Sequence, residues 1–312
     1  MNKRSIVEPL ISVIIPCYNQ GEYLKNSLGS IRAQSFNNYE IIIVNDGSTD
    51  DETVRIIDVI EKNQPDVIVI NKKNGGLSEA RNSGVRVARG KYIVCLDADD
   101  KINPDYLKHT VGYFEKSKKS NLGFVTTWVQ EFGDRSNVWK TEGYYPSKLM
   151  VMNLAHAGSM FTKTMWEKVG GYKKTMRGGY EDWEFWISAI EKGYSWGLIP
   201  KPLFNYRIKE ESMLTGAFKR NIELYTKIVD LHPKLYEKYA NEIALISANI
   251  IFGLRNDNYS QYVLLVESNK ELIDARKKNR EMDDLLASRI IKKAIYLRAI
   301  AQRTRNLFKK NH

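Results

Sequence analysis

The stretch Tyr92-Ile93-Val94-Cys95-Leu96-Asp97-Ala98-Asp99-Asp100 decides the fold and contains the first candidate site. Its apolar first half predicts a short buried strand, and three carboxylates follow within four positions. Because side chains alternate along an extended chain, Asp97 and Asp99 leave the sheet on the same side. Two such carboxylates suit a hard divalent cation that also holds a diphosphate. The alternative is an acidic turn that caps a helix beginning at Pro104.

Strands and helices alternate from the start of the chain through residue 100. Short apolar runs at residues 11–16, 40–44, 67–70 and 92–95 predict strands, and apolar residues at helical spacing lie between them. This alternation predicts βαβ units and a parallel sheet, whose ligands lie beyond the carboxyl ends of the strands. Polar, ligand-like residues follow each strand: Tyr18 and Asn19, Asp46, Asn74 with Gly75 and Gly76, and Asp97 with Asp99. No dinucleotide-binding glycine motif and no Walker P-loop follows any of them.

The sequence after residue 104 indicates a less regular order of helices and strands. Helices are expected at residues 104–117 and 163–169, and strands at 122–132, 160–161 and 203–207. Another helix begins at Glu181 and Asp182, whose charges suit the positive end of a helix dipole, and this is a sufficient structural reason for them. A carboxylate on a rigid helix start beside Trp183 and Trp186 is also a good general base, although those aromatic side chains are expected to be core.

Composition indicates a globular protein with anionic partners. The chain has 312 residues, 43% of them hydrophobic, and a formal net charge of +11, which favours nucleotides, phospholipid surfaces or nucleic acid. Cys17 and Cys95 are too few for a disulfide framework, so we expect a reducing compartment, the cytoplasm. The N-terminal residues 1–9 contain no apolar signal segment, and the longest apolar stretch, 243–254, is too short to span a bilayer.

The C-terminal part predicts helices at residues 219–231, 234–254, 259–272 and 283–308. Residues 288–312 hold eight lysines and arginines and no acid, next to one apolar stripe. Such a basic amphipathic helix can lie on an anionic membrane, and it can equally pack its stripe on neighbouring helices.

Five motifs occur in a fixed order and together resemble the family 2 inverting glycosyltransferases with a GT-A fold. They are Pro16-Cys17-Tyr18-Asn19 after the first strand, Val44-Asn45-Asp46-Gly47-Ser48-Thr49-Asp50, Asn74-Gly75-Gly76-Leu77-Ser78-Glu79-Ala80-Arg81-Asn82, Leu96-Asp97-Ala98-Asp99-Asp100 and Tyr180-Glu181-Asp182. The resemblance covers roughly residues 10 to 213 and is specific as a set.

The resemblance implies roles for individual residues around a nucleotide-sugar donor. The base of the nucleotide would be held by Pro16, Tyr18 and Asp46; the rest of the nucleotide pocket would be lined by Asn74, Gly76 and Arg81; Asp97 would face the ribose, and the sugar would lie near Ala98. Asp99 would bind a Mn²⁺ or Mg²⁺ ion that bridges the diphosphate. Asp182 would deprotonate the acceptor hydroxyl, with Glu181 supporting it or touching the acceptor.

Two departures from the family pattern bear on the mechanism. Lys209 stands where many relatives carry a histidine near the metal and phosphates. A charged lysine cannot ligate a metal, but it can neutralise a diphosphate as a point charge. The Gln-x-x-Arg-Trp motif of processive relatives is missing, so we expect the addition of a single sugar.

Three other classes of protein compete with this interpretation. A sugar nucleotidyltransferase would need a glycine-rich phosphate loop after the first strand, and residues 16–20 do not form one. A nucleic-acid-binding protein would explain the charge, but no recognised binding module is present. A catalytically silent nucleotide-binding protein would lose the carboxylates, and Asp46, Asp97, Asp99 and Asp182 are all there.

The sequence therefore predicts an α/β protein with a GT-A catalytic domain, a mostly parallel sheet flanked by helices, over residues 1–214. Residues 1–100 would bind the nucleotide, residues 101–214 the acceptor, and residues 215–312 would form a helical, basic region. The expected activity is an inverting transfer of one sugar from a nucleotide-diphosphate sugar, UDP-linked by family habit, to a glycan or lipid-linked glycan in bacterial surface polysaccharide synthesis. No nucleic acid is expected as a partner.

Membrane flotation tests the role of the basic C-terminal helix. We expect the full chain to float with vesicles that contain anionic lipid, because basic residues near such a surface each add to the attraction. Removing residues 288–312 should abolish flotation, and neutral vesicles are the control. Undiminished binding of the shortened chain would contradict the anchoring role.

Overall fold

The computed structural model describes residues 8–209 and 213–253, together with Lys293 and Arg298. The predicted helices at 259–272 and 283–308 lie outside the described residues. The chain divides into two compact units, and residues 145–153 belong with the C-terminal unit that begins at Gly216, while the remainder of the chain up to Thr215 forms the first unit. The sequence did not indicate that an internal segment would join the C-terminal unit.

The first half of the first unit is the predicted alternation of strands and helices. Its elements are β1 (Ile11–Cys17), α1 (Gly21–Arg32), β2 (Tyr39–Asn45), α2 (Asp51–Asn63), β3 (Val67–Asn71), α3 (Leu77–Val87) and β4 (Tyr92–Cys95). The strands lie in the order β3-β2-β1-β4 and every pairing among them is parallel. β1 and β4 are buried along their whole length, in keeping with their apolar runs, and the buried hydroxyl of Ser12 in β1 donates to Glu40.

Local sequence signals explain where these helices begin. The side chain of Asp50 accepts hydrogen bonds from the backbone N–H groups of Glu52 (3.2 Å) and Thr53 (2.9 Å), and so caps α2. Gly76, with φ of 83°, precedes α3 in a conformation that favours glycine. Both caps lie at the carboxyl ends of strands, so they also shape the loops there.

The second half of the first unit adds five strands, and most of their pairings are antiparallel. Its elements are β5 (Lys101–Ile102), α4 (Tyr106–Lys116), β6 (Leu122–Gly133), β7 (Val138–Trp139), β8 (Met160–Thr162), α6 (Lys163–Val169), α7 (Glu181–Glu191) and β9 (Ser195–Ile208). The sheet continues from β4 through β8, β6 and β9 to β5, with β7 beside β6. Only β6 and β9 are parallel here. The α/β fold is confirmed, and the complete sheet is mixed rather than mostly parallel, because its later strands are joined by connections whose direction local patterns do not encode.

Strand β9 is longer than the sequence indicated. The predicted strand at 203–207 is its second half, and the first half begins at Ser195. Pro200 and Pro202 interrupt the apolar pattern, and the register against β6 shifts beside them, between Thr127 and Val129. This irregular segment carries the chain to the carboxyl end of β9, where the candidate site lies.

The C-terminal unit is helical in the residues that the structure describes. It contains α5 (Pro146–Val151), α9 (Asn221–Leu231), α10 (Pro233–Lys238) and α11 (Ala240–Gly253), while α8 (Met213–Lys219) spans the boundary of the units. The carbonyl of Met150 accepts hydrogen bonds from the hydroxyls of Tyr225 (2.5 Å) and Tyr236 (3.1 Å), which tie α5 to this unit. None of the described helices combines the length and apolar character that a bilayer crossing requires.

A buried histidine lies in the second half of the first unit. The ring of His156 stacks on Phe204 with 4.2 Å between ring centres, and its Nε2 lies 3.2 Å from the hydroxyl of Thr127. Its Nδ1 has no hydrogen-bond partner among the described residues. Burial lowers the pKa of His156 from the ordinary 6.5 to about 3.

This lowered pKa predicts that the free energy of unfolding of the protein decreases in mild acid. Since the unfolded chain binds a proton near pH 6.5 and the folded chain does not until about pH 3, the stabilising effect is present above pH 6.5 and is lost as the pH falls. We expect His156 to remove about 2 kcal/mol of unfolding free energy between about pH 8 and pH 5. Urea denaturation of His156→Phe should show a shallower pH slope than the wild type, and the half-buried His109→Phe is the control. Equal slopes for all three proteins would contradict the assignment.

Candidate active site

The carboxyl ends of β1 to β4 meet at one edge of the sheet, as parallel pairing requires. Tyr18 follows β1 with 46% of its surface exposed, so its ring is available to stack on a flat ligand. Pro16 is buried in β1 and pairs with Val44, so only its backbone could reach a ligand. Asn74 is exposed in the loop after β3. These three predicted nucleotide-binding residues therefore come from the ends of β1 and β3, which lie on either side of β2.

Asp46 organises the loop that follows β3. It is 2% exposed, its carboxylate pairs with the ammonium of Lys72, and it accepts hydrogen bonds from the backbone N–H groups of Gly75 (3.0 Å) and Gly76 (2.8 Å). The resemblance implied a hydrogen bond from the nucleotide base. In the structure, these contacts of Asp46 go to the loop after β3, so its visible effect is to shape that loop around Asn74.

Asn19 connects the ends of β1 and β2. It adopts a left-handed conformation with φ of 52°, and its side-chain oxygen accepts a hydrogen bond from the backbone N–H of Thr49 (2.8 Å). Asparagine tolerates this conformation better than most residues. The polar side chain of Asn19, which suggested a ligand-binding residue, thus serves to join the two loops.

Arg81 lies beneath the site and joins its two sides. The side chain is fully buried. Its Nη1 donates to Oε1 of Glu181 at 2.7 Å, and its Nη2 donates to both carboxylate oxygens of Asp97 at 2.8 and 3.0 Å. Burial alone would lower the pKa of Arg81, but the charges of Asp97 and Glu181 outweigh it and hold the pKa well above its ordinary value. Arg81 was predicted to line the nucleotide pocket; in the structure its guanidinium is buried and holds two carboxylates.

The acidic residues after β4 have separate partners. Asp97 is held by Arg81, and burial raises its pKa although Arg81 acts in the opposite direction. Asp99 pairs with Lys209, with 2.5 Å between Oδ2 and Nζ. Asp100 is buried and accepts a hydrogen bond from the backbone N–H of Arg207 (2.9 Å). Ala98, between them, is fully buried, so its side chain is part of the floor of the site.

The carboxyl end of β9 supplies residues that the sequence analysis did not assign to the site. The guanidinium of Arg207 lies 4.8 Å from the ring centre of Tyr23 and its Nε donates to the carbonyl of Asp99 (3.0 Å). Burial raises the pKa of Tyr206, and the charges of Asp100, Asp97, Asp99 and Asp182 raise it further. The pKa of Tyr206 thus responds to carboxylates that follow β4 and to one at residue 182, and no local pattern in the sequence indicated this coupling.

Helix α7 begins with the predicted acidic turn. Tyr180, directly before it, has a left-handed backbone with φ of 61°. Asp182 is half-buried and its Oδ1 accepts a hydrogen bond from the N–H of Trp183 (2.8 Å). Trp186 is fully buried and stacks on Phe124 at 4.5 Å, so its role is in the core. The rigid start of α7 holds Asp182 next to Glu181, the partner of Arg81.

A divalent cation fits this site through a single carboxylate. In the part of the chain that is described, no group of three or more histidine, cysteine, aspartate or glutamate residues forms a metal site. A magnesium ion bound mainly by diphosphate oxygens and water needs only one or two protein carboxylates. Asp99 retains some exposure and already stabilises a positive charge, that of Lys209. Its carboxylate therefore suits a cation that arrives with a phosphate ligand.

Replacing Arg81 should destabilise the first unit strongly. Arg81→Met leaves the buried carboxylates of Asp97 and Glu181 without their counter-charge, and we expect a loss of about 3–5 kcal/mol in unfolding free energy. Urea denaturation measures it. The control is Arg86→Met on the same helix, whose ion pair with Glu79 (3.0 Å) is at the surface, for which we expect a loss of at most about 1 kcal/mol. Similar losses in both variants would show that the buried bridge does not support the fold.

Comparison with known proteins places the chain in a family. The sequence profile described as "Glycosyl transferase family 2" matches residues 12–173. An uncharacterized glycosyltransferase of Methanocaldococcus jannaschii, MJ1057, is 30% identical over 231 residues, which cover 70% of this chain and 77% of that protein. The chondroitin synthase of Pasteurella multocida is 32% identical over 187 residues, 59% of this chain but only 19% of that protein.

Two solved structures share the fold. Residues 1–349 of S. aureus TarS, in complex with UDP-GlcNAc, match with a TM-score of 0.59 and 16% identity over 97% of this chain and 92% of that one. The mannosyltransferase PcManGT from Pyrobaculum calidifontis, in complex with GDP-Man and Mn²⁺, matches with a TM-score of 0.59 and 18% identity over 98% and 89%. Together with the sequence match over more than half of its length, these likenesses show that the chain belongs to glycosyl transferase family 2.

Proposed function

We propose that this transferase moves one sugar from a nucleotide-diphosphate sugar to a hydroxyl of a glycan acceptor, with inversion at the anomeric carbon. The observation that carries this proposal is the buried bridge made by Arg81, which donates to Asp97 on the donor side at 2.8 Å and to Glu181 on the acceptor side at 2.7 Å. Glu181 directly precedes Asp182, so the bridge holds the two ends of the site together. A single displacement needs both ends in one cleft, because the leaving group and the base act on opposite faces of one sugar.

The donor end would bind a nucleotide and a diphosphate. The exposed ring of Tyr18 is suited to stack on the base, and the loop around Asn74 and Gly76, shaped by Asp46, is suited to line the pocket. A Mn²⁺ or Mg²⁺ ion held by Asp99 would neutralise charge on the leaving diphosphate. We propose UDP as the nucleotide; UDP-GlcNAc and GDP-Man are the ligands of the two structural neighbours, so GDP is the competitor to test.

The acceptor end would use Asp182 as general base. Its carboxylate takes the proton of the acceptor hydroxyl while the new bond forms between that oxygen and the anomeric carbon, and the bond from this carbon to the diphosphate breaks. Glu181 cannot compete for this role without leaving Arg81, so its part is to position the start of α7. The proposed acceptor is a glycan of a bacterial surface polysaccharide, lipid-linked, in keeping with the polysaccharide synthases among the relatives.

Replacing the base tests this mechanism. Once a screen of nucleotide sugars with Mn²⁺ has found the donor by its slow hydrolysis, Asp182→Asn should bind that donor as the wild type does and should lose transfer by about 10²–10⁴-fold. The control is Glu191→Gln, which changes an exposed carboxylate at the other end of the same helix. Normal turnover by Asp182→Asn would refute the base assignment.

A further inference from the structure

Lys209 is paired with Asp99, the carboxylate that is proposed to hold the cation. It directly follows β9, and its ammonium lies 2.5 Å from Oδ2 of Asp99 and 4.4 Å from the ring centre of Tyr23. The two charged side chains keep 27% and 17% of their surface exposed, so the pair lies in the wall of the site with access to solvent. A cation and an ammonium cannot both contact the same carboxylate oxygen, because like charges repel at this distance.

The neighbouring carboxylates of Asp97 and Asp100 cannot take the place of Asp99 as the partner of the cation, because both already have partners. Asp97 uses both oxygens to bind the buried Arg81, and Asp100 is buried against the backbone of Arg207. Among the described residues, Lys209 is the only cationic side chain in an ion pair with Asp99. Asp99 is therefore the carboxylate near β4 that can exchange its partner, and Lys209 is the partner it would exchange.

We propose that Lys209 is an internal competitor for the metal position, which makes binding of the divalent cation conditional on the donor. Without donor, the ammonium holds Asp99 and weakens metal binding. When a nucleotide diphosphate enters with its cation, the cation takes Asp99 and the ammonium moves onto the diphosphate oxygens. This inference rests on the proposed function, because it assigns a further residue to the donor end of the same site.

The side chain of Lys209 is suited to such a move. Its flexible four-carbon stem ends in a compact point charge whose three donors need no fixed orientation, so the ammonium can exchange one anionic oxygen for another. The contact with Tyr23 adds a cation–π attraction that holds the ammonium in place before the donor arrives. By linkage, a nucleotide that strengthens metal binding must itself bind more tightly when the metal is present.

Calorimetric titration of the full chain with Mn²⁺ alone and with UDP alone tests this proposal. In Lys209→Met, we expect Mn²⁺ to bind about tenfold more tightly without nucleotide, because its competitor is gone, and UDP to bind about tenfold more weakly without metal. Lys209→Arg should stay close to the wild type in both titrations because it keeps the charge. Lys101→Met is the matched control, since the ammonium of Lys101 lies over the ring of Phe132 on β6.

Opposite changes in the two affinities distinguish competition from a structural role, which would lower both or neither. Mn²⁺ affinity that is equal in wild type and Lys209→Met, or lower in the variant, overturns the inference whatever the nucleotide does. The added Asp99→Asn substitution should remove the gain in Mn²⁺ affinity, and a gain that persists places the metal elsewhere and also overturns it. Failure of the wild type to bind UDP or GDP with saturating Mn²⁺ would instead refute the donor assignment of the proposed function.

Discussion

The buried guanidinium of Arg81 is the interaction on which the site depends. Arg81 lies on α3. One of its partners, Asp97, follows β4, and the other, Glu181, begins α7 one hundred residues after Arg81. Removing such a charge from water is costly, and the cost is offset only when both carboxylates are in contact with it. The fold must therefore bring β4 and α7 together whenever Arg81 is buried. The planar fork of arginine matches this geometry, which the point charge of a lysine does not.

This arrangement gives each carboxylate of the site a defined state. Asp97 and Glu181 are held by Arg81, Asp99 by Lys209, and Asp100 is buried where desolvation raises its pKa well above the ordinary value. Asp182 follows Glu181 and accepts a hydrogen bond from the N–H of Trp183. The carboxylates bound by Arg81 therefore have a structural role, and Asp99 and Asp182 are the two that are proposed to act on a ligand.

The sequence was sufficient where function and folding use the same local signal. Strands β1, β2 and β4 have predominantly apolar runs, α6 begins and ends at the predicted residues, and the glycines before α7 precede its start. The prediction that polar strand ends converge followed from parallel pairing alone. The sequence was insufficient where the role of a residue depends on a partner far away in the chain. The sequence around Arg81 does not predict its contact with Glu181, and the sequence around Asp46 does not predict its contacts with the amides of Gly75 and Gly76. The prolines of β9 interrupt the apolar pattern, so the first half of that strand was not predicted.

The charges of the site favour the proposed binding of a donor together with a cation. Asp97, Asp99, Asp100, Asp182 and Glu181 lie near three cationic side chains, those of Arg81, Arg207 and Lys209, so the cluster has a surplus of acidic groups even in a chain whose net charge is +11. A diphosphate entering this site alone would meet repulsion from this surplus. Under the proposed function, a divalent cation held by Asp99 would offset the surplus, and Lys209 would then be released to face the phosphates. The proposed competition by Lys209 would therefore set when the cation binds, while the surplus of acidic groups would still favour its binding.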